Sequence, residues 1–314
     1  MHVTVVGCGV SGLTSGVRLL EQGARVSLIT RELTGRTTSA AAGAIWFPYR
    51  VRPNERTGPW GAYGYERFER LAADHAMPVT MVEVTILYGE RLAEEPWWLD
   101  SVPGDSVRAA VGAELPDGYA DGRTAIVPCI ETPAYLDWLA RRFAELGGLT
   151  EVRELGALGE ADGDAVVNCA GVGACGLADD EDLRPVRGQV AYVRTREPLR
   201  FMVDEDGPNA LAYVLPRPDV VVLGGTAEEG DGDMRPRPET TKSILERTLR
   251  LQPRLAGAEY VGSAVGLRPV RSEVRLERSE LEDGRPLVHN YGHGGSGFTL
   301  SWGCAEEVAR LVLL

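Results

Sequence analysis

Gly7-Cys8-Gly9-Val10-Ser11-Gly12 carry the spacing Gly-x-Gly-x-x-Gly, which suits the pyrophosphate of a dinucleotide. Gly7 permits a tight turn, Gly9 lets main chain approach the phosphates, and Gly12 lets a helix lie on a strand. The helix that follows adds free N–H groups and a positive end, and Val10 and Ser11 are counted with the glycines as cofactor contacts. An acid is expected at the end of the following strand to hold the ribose, but the residues there are Thr30-Arg31-Glu32. Thr30 takes the carboxylate's place and Glu32 lies two further on. Either Glu32 reaches the ribose, or main chain and Thr30 suffice. Thr30 and Arg31 are counted as cofactor contacts.

A second glycine loop, His293-Gly294-Gly295-Ser296-Gly297-Phe298-Thr299, offers close backbone approach and helix N–H groups. That suits the anionic edge of a reduced flavin. A third turn, Asn168-Cys169-Ala170-Gly171, ends a strand in small residues, as a turn beneath a bound FAD would. A nicotinamide domain is normally continuous, whereas this one is completed by a distant strand, loop and helix. Together these features favour FAD over NAD.

Other candidates are read from residue type. A guanidinium such as that of Arg268 forks onto a carboxylate with two parallel hydrogen bonds, although a structural salt bridge explains it equally well. Arg271 is read as structural. His289 and His293 stand four apart, but the intervening glycines argue against a helical metal pair; they are read as structural or flavin-edge residues, and no metal is expected. Cys8, Cys129, Cys169, Cys175 and Cys304 contain no CxxC. Cys169 and Cys175 are read as two small buried thiols rather than a disulfide.

These residues need elements to hold them. His2 to Val6 reads as a buried strand, Leu13 to Gln22 as a helix stopped by Gly23, and Ala24 to Thr30 as a second strand, a βαβ unit. Thr37 to Tyr49 reads as loop, as does the proline-bearing stretch Arg50 to Pro59; Trp97-Trp98 reads as packing. Pro133 to Leu146 is a helix with proline in its first turn and glycines beyond. Asp164 to Asn168 and Leu287 to Tyr291 are strands, and Thr299 to Leu313 is a helix. Gln189 to Thr195, Leu211 to Leu215 and Val220 to Gly225 suggest an antiparallel sheet. The fold class is therefore α/β: a Rossmann-like FAD-binding domain with an inserted antiparallel-sheet substrate domain. The first is assigned 1–75, 130–180 and 270–314, the second 76–129 and 181–269.

The chain has 314 residues and a formal net charge of -13, which disfavours a nucleic-acid partner. No apolar run spans a bilayer, so no membrane partner is expected and a cytoplasmic protein, with homodimer formation open, is the simplest reading. Lys242 is the only lysine among 33 basic residues, with four asparagines and three glutamines. Few amides and many possible arginine–carboxylate pairs lean towards thermostability, although a GC-rich genome also enriches arginine.

Across nearly its whole length the sequence resembles the D-amino-acid oxidases, a family that includes D-aspartate oxidases. The resemblance rests on VVGCGVSGL, AGAIWFPY, VVNCAGV, RGQV, AYVLP, VVLGGT, GLRPVR and HNYGHGGSGFTLSWGC. It implies that Arg268 clamps a substrate carboxylate, that the Tyr213 hydroxyl meets the same group, and that the Gly295 carbonyl receives the amine. Thr37, Thr38, Ser39, Gly43, Ala44, Ile45, Ala170, Gly171, Arg268 and the run from Gly294 to Thr299 fall at family FAD contacts. Asn209 stands where mammalian members have a lid tyrosine and is counted among substrate-binding residues.

The implied reaction is FAD-dependent oxidative deamination of a D-amino acid to a 2-oxo acid, ammonia and hydrogen peroxide. It needs no acid–base side chain, only orientation. Ile45, Phe47 and Leu215 form the expected pocket wall, and Tyr213 and Leu215 share a strand face. This wall favours neutral side chains over D-aspartate and D-glutamate. Arg217, between two prolines, is read as surface; if Arg217 or Arg50 instead points inward, D-aspartate is favoured. The alternatives left open are a D-aspartate or glycine oxidase, a NAD-dependent dehydrogenase, and a catalytically silent flavin protein.

Overall fold

A computed structural model describes residues 1–314. Its first strand, β1 (His2–Val6), is buried from Val3 onward and turns at Gly7, whose φ is +105°. The helix α1 (Val10–Glu21) follows, and Gly23 at φ +84° sends the chain into β2 (Arg25–Thr30), parallel to β1. The helix starts three residues before its apolar periodicity does, because glycine and serine at its first turn contribute no apolar signal.

Thr37 to Tyr49 is largely irregular, with a short 3-10 turn at Thr38–Ala41. It is nonetheless tied into the core: Trp46 is 1% exposed, and Ile45 makes an isolated bridge to Cys129. The stretch read as loop as far as Pro59 is helical from Thr57, where α2 (Thr57–Ala72) begins. Proline is tolerated in a helix's first turn because its missing N–H would have had no partner there. Trp98 is buried edge-on against Phe47, with ring centroids 5.6 Å apart.

Then come β3 (Val79–Tyr88), β4 (Val107–Ala109), β5 (Asp121–Ile130), α3 (Thr132–Glu145), β6 (Leu149–Val152), β7 (Ala165–Asn168) and the single-turn α4 (Ala174–Leu177). The sheet continues with β8 (Arg184–Arg194), β9 (Phe201–Asp204), β10 (Tyr213–Pro216), β11 (Val221–Gly224) and β12 (Glu228–Glu229), before α5 (Pro238–Leu251). The last elements are β13 (Glu259–Glu280), β14 (Pro286–His293) and α6 (Gly297–Leu313).

All the strands belong to one sheet, in the order β4-β5-β3-β9-β10-β11-β8-β13-β14-β7-β1-β2-β6, with β12 beside β8. From β14 to β6 the pairs are parallel. From β9 through β14 they are antiparallel. The fold is thus the expected α/β arrangement of a parallel, helix-covered sheet joined to an antiparallel one.

The joint is β13, which was not foreseen as a strand. It pairs with β8 from Glu259 to Val270 and with β14 from Arg275 to Glu280, and the β14 register shifts between Val270 and Arg275. Helices α1, α2, α3 and α6 bury their apolar faces together over the parallel strands, around Leu13, Val17, Phe68, Tyr135, Leu139, Phe143, Leu300 and Val308. Cys169 is buried but Cys175 is exposed, and both thiols are free. The picture of two buried thiols therefore holds only for Cys169. No helix is long and apolar enough to cross a membrane.

Candidate functional site

One cavity of about 1050 Å³ runs from the end of β2, across the Gly7–Ser11 turn, to the antiparallel sheet. It sits at the top of the range of about 300–1,000 Å³ for small-molecule sites. Gly7, Gly9, Val10 and Ser11 line it where α1 begins. No side chain caps α1, and the Val10 N–H donates to Ser39 Oγ at 3.0 Å. The uncapped first turn leaves further N–H groups for an anion.

Gly12 does not line the cavity, although it was counted among the contacts. A Cβ there would overlap the Gly7 carbonyl oxygen, so its service is to seat the helix on the turn. At Gly7 itself, a Cβ would meet the Cys169 carbonyl oxygen at 2.5 Å. The first turn and the β7 turn are therefore packed to a tolerance that only glycine satisfies.

Thr30, Arg31 and Glu32 all line the cavity at the end of β2. The Thr30 hydroxyl donates to the Glu32 carbonyl at 2.7 Å, and the Cys8 thiol donates to that same oxygen at 2.8 Å. Thr30 thus shapes the strand end, leaving the Glu32 side chain half-buried at the cavity wall. Burial raises the Cys8 thiol above its ordinary pKa, partly offset by its hydrogen bond with Thr30.

Along the middle of the cavity lie Thr37, Thr38, Ser39, Gly43, Ala44 and Ile45 on one side and Ala170 and Gly171 on another. Gly294, Gly295, Gly297, Phe298 and Thr299 close it, at a second uncapped helix start, that of α6. Ser296 is a correction. It is fully buried and turned away, donating to the Tyr49 carbonyl at 2.9 Å. The Gly295 N–H donates to the same oxygen at 3.1 Å, which fixes the loop.

At the far end, β13 presents Arg268 and β10 presents Tyr213 and Leu215, with Phe47 on the opposite wall. Arg271 is engaged by Asp180 at 2.9 Å, the structural use expected of it. Arg268 forms no ion pair; its Nη1 donates to the Thr226 carbonyl at 2.7 Å, and its guanidinium lies 5.5 Å from the Tyr49 ring centroid. The residue lines the cavity, and its other guanidinium donors have no protein partner. Burial pushes the Tyr213 phenol up to about 12, against the pull of Arg268, so it is a neutral hydrogen-bonding hydroxyl.

Two assignments at this end are overturned. Asn209 is buried outside the cavity: its amide donates to Tyr119 Oη at 3.1 Å and its carbonyl accepts from Arg250 Nε at 2.9 Å. A turn through Leu211, at φ +68°, tucks Asn209 away and places Leu211 on the cavity wall instead. Arg217 is not surface, its side chain being 6% exposed, 3.5 Å from Glu131 and donating to the Gly43 carbonyl. Residues 213, 215 and 217 keep strand parity, and that outweighs the flanking prolines. Arg217 nevertheless stops behind Gly43 and does not line the cavity, and Arg50 is paired with Glu229 at 3.1 Å.

Residue-by-residue reading missed the groups that make room for these side chains. A Cβ at Gly188 would overlap the Arg268 guanidinium, and one at Gly224 would overlap the Tyr213 ring. Both glycines sit in the strings RGQV and VVLGGT, which were noted without a role. His293 lines the cavity and shares a hydrogen bond of 3.0 Å with Asn290 Oδ1. His289 lies away from the cavity, near Asn168 and Ser279.

The model of the FAD dependent oxidoreductase family matches residues 2–311. The chain belongs to this family, the D-amino-acid oxidases and their relatives. It is 48% identical to a D-amino-acid oxidase of Rubrobacter xylanophilus over 99% of this chain and 95% of that protein. A D-amino-acid oxidase of Streptomyces coelicolor is 45% identical, with 99% and 96% covered. The human D-aspartate oxidase is 36% identical, with 99% and 94% covered. Among solved structures, glycine oxidase from Geobacillus kaustophilus superposes with a TM-score of 0.83 at 21% identity, over 99% of this chain and 94% of that one, a likeness of fold. FAD is thus the family's cofactor, and the long cavity with two uncapped helix starts is a suitable donor set for it.

Proposed function

We propose that the chain oxidises D-amino acids to imino acids, which water converts to 2-oxo acids and ammonia, with dioxygen reduced to hydrogen peroxide. The observation that carries this reading is Arg268, half-buried and unpaired at the end of a dinucleotide-sized cavity beside the Tyr213 hydroxyl. A guanidinium held by one backbone carbonyl and an aromatic face keeps its remaining donors aimed and preorganised for a carboxylate.

Bound along Gly7–Ser11 and Gly294–Thr299, the flavin would supply a two-electron acceptor for the Cα–H bond. Arg268 and Tyr213 hold the substrate carboxylate, and the Gly295 carbonyl accepts from the amine. Restricting the substrate to one pose supplies most of the catalysis, without a proton-transferring side chain. Residues 1–75, 130–180 and 270–314 form the FAD-binding part, and 76–129 with 181–269 the substrate-binding part. The wall of Ile45, Phe47 and Leu215 favours neutral side chains over D-aspartate and D-glutamate.

The test is peroxide release from the purified yellow protein with paired D- and L-amino acids. Release with D-isomers and not with their L-partners, with neutral side chains above D-aspartate and D-glutamate, supports the reading. Release only with D-aspartate, or with no amino acid, refutes it.

A further inference from the structure

Three consecutive carboxylates follow the body of β9: Asp204, Glu205 and Asp206. Two accept hydrogen bonds from the protein. Asp204 accepts from Tyr119 Oη at 2.6 Å and from the Asn209 N–H at 2.8 Å, and Asp206 accepts from the Gly89 N–H at 3.0 Å. Glu205 differs. Its main chain is pinned, with its N–H donating to the Leu87 carbonyl at 3.1 Å, but its Oε2 is buried and has no partner. The residue lines the same cavity as Arg268 and Tyr213.

A buried carboxylate oxygen without a donor is costly unless something else supplies one. The charged and titratable groups facing it do not: Asp204 and Asp206 are themselves carboxyl groups, the Tyr88 phenol of β3 makes no hydrogen bond to it, and Arg50 is held by Glu229 and Tyr49. In this setting burial, then Asp206 and Asp204, push the Glu205 carboxyl up to about 7, with Arg50 opposing. Leu211, Leu215 and Met234 line the cavity too. A chain of methylenes ending in a cation matches such a surface, its stem on the apolar residues and its head on the carboxylate.

We propose that Glu205 is a specificity residue that admits D-amino acids with long cationic side chains, such as D-lysine, D-ornithine and D-arginine, and repels acidic ones. The inference rests on the D-amino-acid reading above and adds to it. Neutral side chains still fill the apolar wall, and the carboxyl extends the range in one direction of charge only.

The test compares kcat/KM for D-lysine with that for D-norleucine, of equal length but uncharged, in the FAD-loaded enzyme and in Glu205→Gln. Wild type is expected to oxidise both. In the variant the D-lysine to D-norleucine ratio should fall about tenfold or more, the worth of a charge-assisted hydrogen bond. In Glu205→Lys the order of D-lysine and D-glutamate should reverse. An unchanged ratio in both variants, with D-norleucine still oxidised, overturns the proposal and leaves the parent reading standing. So does a wild-type enzyme that prefers D-norleucine to D-lysine a hundredfold or more, even if neither variant folds. Oxidation of no D-amino acid by wild type overturns both.

Discussion

Arg268 has no carboxylate of its own, so its removal costs little in the empty enzyme and much in turnover. Arg268→Ala should retain FAD and fold normally while kcat/KM for a neutral D-amino acid falls at least about a hundredfold. Steady-state peroxide assays check this, and unchanged kcat/KM would remove the clamp from the mechanism. Tyr213→Phe deletes one hydroxyl and keeps the ring against Gly224 and Gly225, so its loss should be nearer tenfold. His293 offers a pH prediction. Burial holds its pKa down to about 4, below the ordinary 6.5, so the folded chain prefers neutral imidazole. The stability this contributes is fully present above about pH 6.5 and is lost as pH falls through about 4. The melting temperature should therefore decline between those values less steeply in His293→Gln than in wild type.

At the scale of elements, the turn from β1 into α1 stands on Gly12. In Gly12→Ala the new methyl meets the Gly7 carbonyl oxygen, and the backbone must move where the glycine turn lines the cavity. The expected result is a purified protein with less flavin absorbance per chain and a lowered melting temperature; full flavin content would show that the turn yields freely. This element was legible beforehand because a glycine turn between an apolar strand and a helix is a local pattern. So was the loop from Gly294 to Thr299. By contrast, β13 was hidden because its 22 residues owe their strand state to two successive partners, β8 and β14, which no short window contains. Asn209 and Arg217 went wrong for opposite reasons. Asn209 was placed by correspondence with longer relatives across a lid segment that here folds as a tight turn, and Arg217 was placed by its prolines when strand parity decided its direction. The glycines at 188 and 224 were visible but mute, since their meaning lies in side chains arriving from β13 and β10.

Over the whole molecule, arginine–carboxylate pairs join the helical layer. Glu21 on α1 lies within ion-pair distance of Arg18, Arg67 of α2 and Arg142 of α3, and Arg18 also reaches Glu306 of α6 at 2.5 Å. A network shared among four helices is worth more than isolated surface pairs, above all at high temperature. Glu21→Gln should lower the melting temperature by about 2 °C or more, with the difference shrinking as salt is added. The same network, with the scarcity of asparagine, glutamine and lysine, leads us to expect a melting temperature above the roughly 45–65 °C of ordinary domains. Irreversible loss of activity within minutes at about 50 °C would refute that.

The α1–α6 contact also orders events in time. Ser15 of α1 bonds Asn290 of β14 across 275 residues, and α6 closes the cavity that α1 opens. A ribosome emits these partners far apart in time, so the nascent glycine turn waits, without β14 and its covering helix, until residues 286–313 emerge. Flavin capture should therefore follow the emergence of residues 286–313, and stalled chains lacking them should be colourless and bound by chaperones.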